Sequence, residues 1–243
     1  MSNPFLSIII PAYNEENRLP NTLEQILTFL DGQPYPGEVL VVENGSQDRT
    51  LEIARSFTAH YPQLQVFQLD ERGKGRAVRF GMLQAKGDYL FMCDADLSMP
   101  VAQINQFIPP ALAELDVAIG SREKQGAVRY NEPSYRHVIG RVFNTMIRTL
   151  ALPGLNDTQC GFKCFRAPVA RHLFQEQTLS GWSFDVEILF IARLHGYQIV
   201  EVPIHWYFNP DSKVRVVEDS ARMAMDLVRI RMNATRGVYN HEK

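Results

Sequence analysis

Short apolar runs alternate with amphipathic segments through the first half of the chain, and this alternation restricts the possible folds more than any other feature. Each run has the composition of a buried strand, whereas the intervening segments have apolar residues at helical spacing. Strands that alternate with helices over short links form a doubly wound, mostly parallel sheet with helices on both faces. We therefore predict an α/β fold. The predicted strands are Phe5–Pro11, Glu38–Val42, Leu64–Leu69, Asp88–Asp94 and Val117–Gly120.

The same patterns predict the remaining elements. Apolar spacing predicts a helix at 19–30, a helix capped by Ser46 or Asp48 and running to about residue 60, and further helices at 73–85 and 101–115. Residues 122–136 are polar and basic without any period, which predicts a mobile loop. Further elements are a helix at 137–152, a short strand at 158–166, a helix at 183–194, a strand or hairpin arm at 199–208, and a last helix at 217–235.

The composition is that of a globular protein, with 45% hydrophobic and 21% charged residues. The net charge of −2 conceals an uneven distribution along the chain. Residues 1–121 carry 8 Lys and Arg against 15 Asp and Glu, whereas residues 122–243 carry 17 against 12. An acidic first half and a basic second half indicate that the two halves bind different partners.

Several classes of protein do not fit this sequence. Its three cysteines form neither a zinc quartet nor a complete set of disulfides, which favours a reduced, cytoplasmic location. No apolar run approaches the roughly 18 residues that a membrane span needs, and the first residues do not resemble a signal peptide. The six histidines show no ligand spacing with the cysteines, so we expect structural or surface roles for them. We expect no nucleic-acid partner.

Two carboxylates, Asp94 and Asp96, stand at the carboxyl end of the fourth predicted strand with one residue between them. Oxygen ligands at this spacing suit a hard divalent cation, although a solvated turn is the plain alternative. Other acidic residues end other predicted strands, and in an open α/β sheet those ends line one crevice. These carboxylates would repel one another unless they bind a cation or hydrogen-bond donors, and a nucleotide diphosphate with a metal ion supplies both, the donors being groups of its base and ribose. No segment matches a P-loop or a dinucleotide fingerprint, which disfavours kinases and dehydrogenases.

A set of short motifs, in order and spacing, resembles the family 2 glycosyltransferases, which are nucleotide-sugar enzymes with a GT-A fold. These motifs are Pro11–Glu15, Val42–Thr50, Gly73–Gly75, Gly87–Asp88 and Asp94–Asp96. Later motifs are similar to the dolichyl-phosphate β-glucosyltransferase branch, with the dolichol-phosphate mannose synthases as near relatives. These are Gly120–Arg122, Asp157–Lys163, Trp182–Glu187 and Ser212–Lys213.

The resemblance implies a donor site and a metal site in the first half of the chain. Asp94 and Asp96 would hold Mg²⁺ or Mn²⁺, with Asp96 the more direct ligand. Glu43 would accept a hydrogen bond from the base, although the family usually has Asp there. The residues implied for nucleotide-sugar binding are Pro11, Tyr13, Glu15, Glu43, Asn44, Lys74, Asp94 and Ala95.

The resemblance also implies an acceptor site, in which positive charge brings two anions together. Asp185 would position the sugar hydroxyls or the acceptor, and the neighbouring Glu187 would lie in the same region. The residues implied for catalysis are Asp96, Asp185, Arg122 and Lys163. Those implied for the acceptor phosphate are Arg129, Arg136, Gln159, Lys213 and Arg215.

Together these features predict one continuous domain, with a nucleotide-sugar half at 1–121 and an acceptor half at 122–243. The implied reaction moves glucose from UDP-glucose to a polyprenyl or dolichyl monophosphate at the cytoplasmic face of a membrane. The basic amphipathic stretches at 137–152 and 217–236 either lie on an anionic leaflet or pack in the core with their arginines in water, so the lipid acceptor rests on the later motifs. GDP-mannose as donor, a soluble acceptor, and a non-catalytic binding protein are alternatives. The oligomeric state, and a lid role for residues 122–136, stay open.

Overall fold

The computed structural model describes residues 3–113, 115–133, 141, 144–209 and 216–240, and only the backbone of 216–221. Its strands are β1 (Leu6–Ala12), β2 (Gly37–Asn44), β3 (Leu64–Leu69), β4 (Tyr89–Cys93), β5 (Val117–Ser121), β6 (Val128–Tyr130), β7 (Phe162–Arg166), β8 (Ile199–Pro203) and β9 (His205–Tyr207). Its α-helices are α1 (Leu19–Asp31), α2 (Thr50–Thr58), α3 (Lys74–Gln84), α4 (144–150), α5 (Ala167–Glu176), α6 (Phe184–Leu194) and α7 (Val216–Thr235).

Seven of these strands form one sheet in the order β3-β2-β1-β4-β7-β5-β8. The first four strands in that order, β3, β2, β1 and β4, are parallel to one another, and β5 is parallel to β8. Alternate residues of the buried strands pack to opposite faces, because side chains alternate along a strand. One hydrophobic cluster joins the sheet to α1 and the other joins it to α3, α5 and α6. The predicted mostly parallel α/β sheet with helices on both faces is confirmed.

The strand β7 is antiparallel and lies between β4 and β5. Sequence patterning predicts a short strand here but not its place in the sheet. Its register sets Lys163 opposite Met92 and Phe162 opposite Cys93, at the end of β4 that leads into the carboxylate pair. A residue of the second half of the chain is thereby brought to the predicted metal site.

Two predictions for the elements beyond β4 are wrong in part. The helix predicted at 101–115 is a 3-10 helix over Val101–Gln106 only, because Pro109 and Pro110 lack the amide hydrogens that a longer helix requires. The loop predicted at 122–136 contains a strand, β6, which pairs in parallel with β9. The β6–β9 pair is hydrogen-bonded to the turn after β4, because the Tyr207 amide donates to the Ser98 carbonyl at 2.7 Å.

Among the residues that the structure describes, no helix is both long enough and apolar enough to cross a membrane.

Candidate active site

The loops that follow β1 and β2 are joined to each other by hydrogen bonds. The Asn14 amide donates to Ser46 Oγ at 3.0 Å, and the Gln47 amide donates to Asn14 Oδ1 at 2.8 Å. The Glu15 amide donates to Thr50 Oγ1 at 2.7 Å. Two of the predicted strand-end segments therefore lie side by side at one edge of the sheet, as parallel topology requires.

Two of the residues implied for the nucleotide take part in bracing these loops. Glu43 is 2% exposed and accepts from the Ser46 amide, so little of its carboxylate is open to a ligand. Asn44 is 3% exposed; its Nδ2 donates to the Ala12 carbonyl at 3.2 Å, and its Oδ1 accepts from the Gly73 amide at 3.4 Å. In this structure both side chains are hydrogen-bonded to backbone groups at the crevice.

Other implied nucleotide residues have contacts at the same edge. The Arg72 guanidinium lies over the Tyr13 ring, 4.1 Å from its centroid. Glu15 forms an ion pair with Arg18 at 2.7 Å. Pro11 is buried in β1. The pairing of Arg72 with Tyr13 joins the loop after β3 to the loop after β1, and the resemblance assigned no role to Arg72.

The centre of the site is a group of two lysines and three carboxylates. Lys74 Nζ lies 2.6 Å from Asp94 Oδ1, and Lys163 Nζ lies 2.5 Å from Asp185 Oδ1. Asp96 and Asp185 also act on the charge of Lys74. Three carboxylates against two ammonium groups leave an excess of negative charge, which is the condition under which a divalent cation binds.

The pKa values of these groups reflect both burial and mutual charge. Burial alone would lower the pKa of Lys74, but Asp94, Asp185 and Asp96 hold it above its ordinary value. Burial raises the pKa of Asp96, and the neighbouring Asp94 charge raises it further. Burial also raises the pKa of Asp185, although Lys163 and Lys74 oppose the shift. The carboxylates are therefore held close together at an energetic cost that a cation would relieve.

The donors present fit the magnesium or manganese ion that the resemblance implies. Asp94 and Asp96 offer carboxylate oxygens, the ligands that hard divalent cations prefer. Asp96 Oδ1 accepts from the Ser98 amide at 3.0 Å, which fixes the turn that carries it. The Lys74 ammonium beside Asp94 shows that this carboxylate already attracts a cation.

Close backbone packing sets the position of Lys74. A Cβ at Gly75 would lie 2.7 Å from Phe184 Cβ and 2.8 Å from the Leu179 carbonyl oxygen. Only glycine allows the start of α3 to approach the segment before α6 this closely. The approach places Lys74 Nζ 5.1 Å from the centre of the Trp182 ring, within range of a cation–π contact.

A second glycine, Gly161, supports the carboxylate pair. A Cβ built at this position would clash with the Asp94 carboxylate, and the Asp94 amide donates to the Gly161 carbonyl at 3.3 Å. Asp94 therefore lies against the backbone of the segment before β7. The sequence signal was the Gln159–Lys163 motif, in which the glycine has no chemical function of its own.

We expect Gly161→Ala to lower the activity of this site by at least about tenfold, because the added methyl must displace the Asp94 carboxylate. The apparent affinity for Mn²⁺ should fall with it, measured as the concentration giving half-maximal rate. Gly32→Ala is the matched control, since its Cβ would make only ordinary contacts and its φ is −85°. Equal metal dependence in the Gly161 variant and the wild type would contradict this role.

Glu187, near the start of α6, is part of a buried hydrogen-bond network. It is fully buried and accepts from the Thr178 amide and hydroxyl, from the Leu179 amide at 2.8 Å, and from Tyr239 Oη at 2.8 Å. These bonds hold the segment before α6 and the end of the chain together. Glu187 thus supports the segment that carries Trp182.

Lys163 and Asp185 form a buried pair in the site. Lys163 is 1% exposed and Asp185 is 4% exposed. The ammonium also donates to the Cys160 carbonyl at 2.6 Å. In this structure Lys163 does not present its charge to the crevice, because its ammonium is buried against Asp185.

Arg122 is bound by a buried carboxylate from the second half of the chain. Its Nε and Nη2 donate to Asp157 at 2.6 and 2.9 Å, and its amide donates to the same carboxylate at 3.0 Å. Burial alone would raise the pKa of Asp157, but the Arg122 charge and hydrogen bonds hold it below the ordinary value. The Arg122 guanidinium also lies 5.3 Å from the Trp206 ring.

Arg129 is paired as well. Its guanidinium donates to Glu123 at 2.5 Å and to Glu132 at 2.7 Å, and its Nε donates to the Arg122 carbonyl at 3.2 Å. A phosphate at Arg129 would have to compete with these two carboxylates.

Of the other residues implied for the acceptor, Gln159 is among the described residues. Gln159 is half-buried and its Nε2 lies 3.7 Å from Met223 Sδ of α7. Ser183 Oγ donates to Asp226 of α7 at 2.6 Å, so α7 packs beside the start of α6. Arg136, Lys213 and Arg215 lie outside the described residues.

Solved structures of other proteins share this architecture. Glucosyl-3-phosphoglycerate synthase from Mycobacterium tuberculosis, in complex with Mn²⁺ and UDP-glucose, superposes with a TM-score of 0.69 over 94% of this chain and 79% of that one, at 16% identity. Mannosyl-3-phosphoglycerate synthase from Rubrobacter xylanophilus superposes with a TM-score of 0.67 over 99% and 77%, at 17% identity. The fold is that of the GT-A glycosyltransferases.

Sequence comparison then assigns the family. The family model described as glycosyl transferase family 2 matches residues 7–174. Dolichyl-phosphate β-glucosyltransferases from Dictyostelium discoideum and Saccharomyces cerevisiae are 33% and 34% identical, over 98% of this chain and 77% and 78% of theirs. The Drosophila melanogaster protein of the same name is 35% identical over 93% of this chain and 74% of its own. The chain belongs to the family 2 glycosyltransferases and is a glycosyltransferase.

Proposed function

We propose that this enzyme transfers glucose from UDP-glucose to a dolichyl or polyprenyl monophosphate, with inversion and with a divalent cation. The observation that carries the proposal is the similarity, over 98% of this chain, to relatives from Dictyostelium discoideum and Saccharomyces cerevisiae that are named for this activity. A match across 98% of the chain includes the acceptor half as well as the donor half, and so supports a shared acceptor.

Residues 1–121 are the half that we propose binds the donor. The loops after β1 and β2 lie side by side there, with Tyr13 and Arg72 stacked next to them. An aromatic ring and a guanidinium suit a nucleobase and a phosphate, respectively. We propose that Lys74 contacts the donor diphosphate, since its cation lies between Asp94 and the Trp182 ring.

Asp94 and Asp96 are the residues that we propose hold Mg²⁺ or Mn²⁺. The excess negative charge of the lysine and carboxylate group supports this assignment, as does the Mn²⁺ in the Mycobacterium tuberculosis neighbour. The bound ion would stabilise negative charge on the leaving diphosphate.

The acceptor chemistry needs little proton transfer. The oxygen of a lipid monophosphate is ionised near neutral pH, so it can attack the anomeric carbon without a strong general base. A bond forms between that carbon and the phosphate oxygen, the bond to the diphosphate breaks, and UDP leaves as an anion. The protein must hold two anions together, which explains a basic acceptor half at residues 122–243.

The acceptor half also offers a surface suited to a membrane. Three apolar residues of α7, Met225, Val228 and Met232, are 67%, 58% and 43% exposed, and Arg222 and Arg229 are exposed on the same helix. Apolar and basic side chains together favour peripheral contact with an anionic leaflet. Since α7 packs beside Ser183 and Gln159, a lipid phosphate at that surface would be near the site.

The test is an incubation with radiolabelled UDP-glucose and polyprenyl monophosphate in detergent with Mn²⁺, followed by organic extraction. We expect label in the organic phase, and its loss with excess EDTA. Parallel reactions with GDP-mannose, and with 3-phosphoglycerate in place of the lipid, test the other donor and a soluble acceptor. Label that stays in the aqueous phase with the lipid but enters a product with 3-phosphoglycerate would overturn the lipid acceptor.

A further inference from the structure

Three metal-binding side chains meet at a place that the glycosyl transfer site does not use. His172 and Glu176 lie one turn apart on α5, and His195 follows the end of α6. His172 Nε2 lies 3.3 Å from one oxygen of Glu176, and His195 Nε2 lies 2.8 Å from the other. The sequence prediction was that the histidines, which show no ligand spacing with the cysteines, have structural or surface roles; the fold brings two of them together around Glu176.

We propose that His172, Glu176 and His195 bind a zinc ion, or a similar borderline divalent metal, that joins α5 to α6. One donor atom from each residue lies within 4.8 Å of the other two. Zinc bonds of about 2.0–2.1 Å in a tetrahedral site separate neighbouring donors by roughly 3.3 Å. The separations of 3.3 and 2.8 Å already approach that spacing, so small side-chain adjustments are enough to admit the ion.

The environment of the two ring nitrogens of His172 supports a role as a metal ligand. Its Nε2 is buried and has no hydrogen-bond partner, whereas its Nδ1 is hydrogen-bonded to Tyr197 Oη at 2.9 Å. Ligating histidines commonly use the second ring nitrogen in this way, which orients the ring and leaves the first nitrogen available to the metal. A buried polar nitrogen without a partner is otherwise destabilising.

The buried carboxylate of Glu176 is a second reason to propose a metal ion at this place. The Glu176 side chain is fully buried and lies between two imidazoles, whose rings are 4.4 Å apart at their centroids. Burying a carboxylate is costly unless it is paired and hydrogen-bonded, and a divalent ion would add positive charge to the contacts that Glu176 makes with the two histidines. Two imidazoles and one carboxylate leave a fourth position open, a donor set that zinc accepts readily and magnesium does not.

This site is separate from the carboxylate pair of the transfer reaction. The helix α6 carries Asp185 near its start, while His195 follows its end. Ten residues of helix place the two about 15 Å apart along the axis. A zinc ion would fix α5 against α6 and so stabilise the helix that holds Asp185, without contacting the substrates.

The test is a measurement of bound metal on tag-free protein that has been loaded with zinc and then dialysed. We expect close to one zinc per chain by mass spectrometry, retained in millimolar Mg²⁺. His172→Ala and His195→Ala should each lose most of the zinc, while His60→Ala, an exposed histidine elsewhere, should keep it. Tyr197→Phe should retain the fold and weaken zinc affinity by about 10–100-fold, measured by competition with a chelating dye.

Zinc below one tenth per chain in the wild type would overturn the proposal, as would equal zinc content in the His172 and His60 variants. The His172→Gln variant guards against misfolding, because its amide keeps a polar atom near Glu176. Its circular dichroism should match that of the wild type while its zinc is lost. Because the readout is bound zinc, the result is independent of whether the enzyme uses a lipid acceptor.

Discussion

Asp96→Asn is expected to reduce glucosyl transfer by at least about 10²-fold, the loss typical of removing one electrostatic contact to a transition state. The amide keeps the shape of the side chain and still offers an oxygen to the Ser98 amide. What it removes is one of the two negative charges that we propose hold the cation. The measurement is the rate of product formation at saturating UDP-glucose, over a range of Mn²⁺ concentrations.

The stability of the same variant separates a catalytic role from a structural one. Burial and the Asp94 charge raise the pKa of Asp96, so its ionised form is disfavoured in the folded protein. Removing that charge should leave the free energy of unfolding unchanged or slightly increased, as measured by urea denaturation at pH 7. Asp31→Asn, at the exposed end of α1, is the control for both measurements. Activity within threefold of the wild type would exclude Asp96 from the metal site.

The first half of the fold was predictable because its evidence is local. Apolar runs and helical spacing locate strands such as β1 and β2, and parallel topology then brings their carboxyl ends together. The juxtaposition of the loops bearing Asn14 and Ser46 follows from that rule alone. Asp94 and Asp96 follow β4 at the same edge for the same reason.

The second half was less predictable because its contacts join residues that are distant in sequence. No local pattern indicates that β7 runs antiparallel between β4 and β5, and the burial of Lys163 depends on that placement. The bidentate bonding of Arg122 to Asp157 has the same origin, as one residue follows β5 and the other precedes β7. A sequence reports that a residue is basic, whereas the fold decides whether its charge reaches a ligand.

The buried pair Lys163 and Asp185 yields the second large effect. Lys163→Met is expected to lower the free energy of unfolding by about 3–5 kcal/mol, because it leaves the Asp185 carboxylate buried without its partner. Arg166→Met is the control on the same strand. Arg166 forms an ion pair with Asp116, and the side chains of these two residues are 51% and 23% exposed, respectively. Exposed pairs of this kind contribute less than about 1 kcal/mol.

The double variant Lys163→Met with Asp185→Leu distinguishes stability from function. Replacing a buried ion pair with apolar residues is often neutral or stabilising, so we expect the double variant to recover most of the lost stability. We expect no recovery of transfer activity, because the Asp185 carboxylate also acts on Lys74 beside the carboxylate pair. Urea denaturation and the transfer assay on the same preparations give both quantities. Recovery of activity together with stability would reduce this pair to a structural element, and the positioning of Lys74 would then rest on Asp94 and the glycines around it.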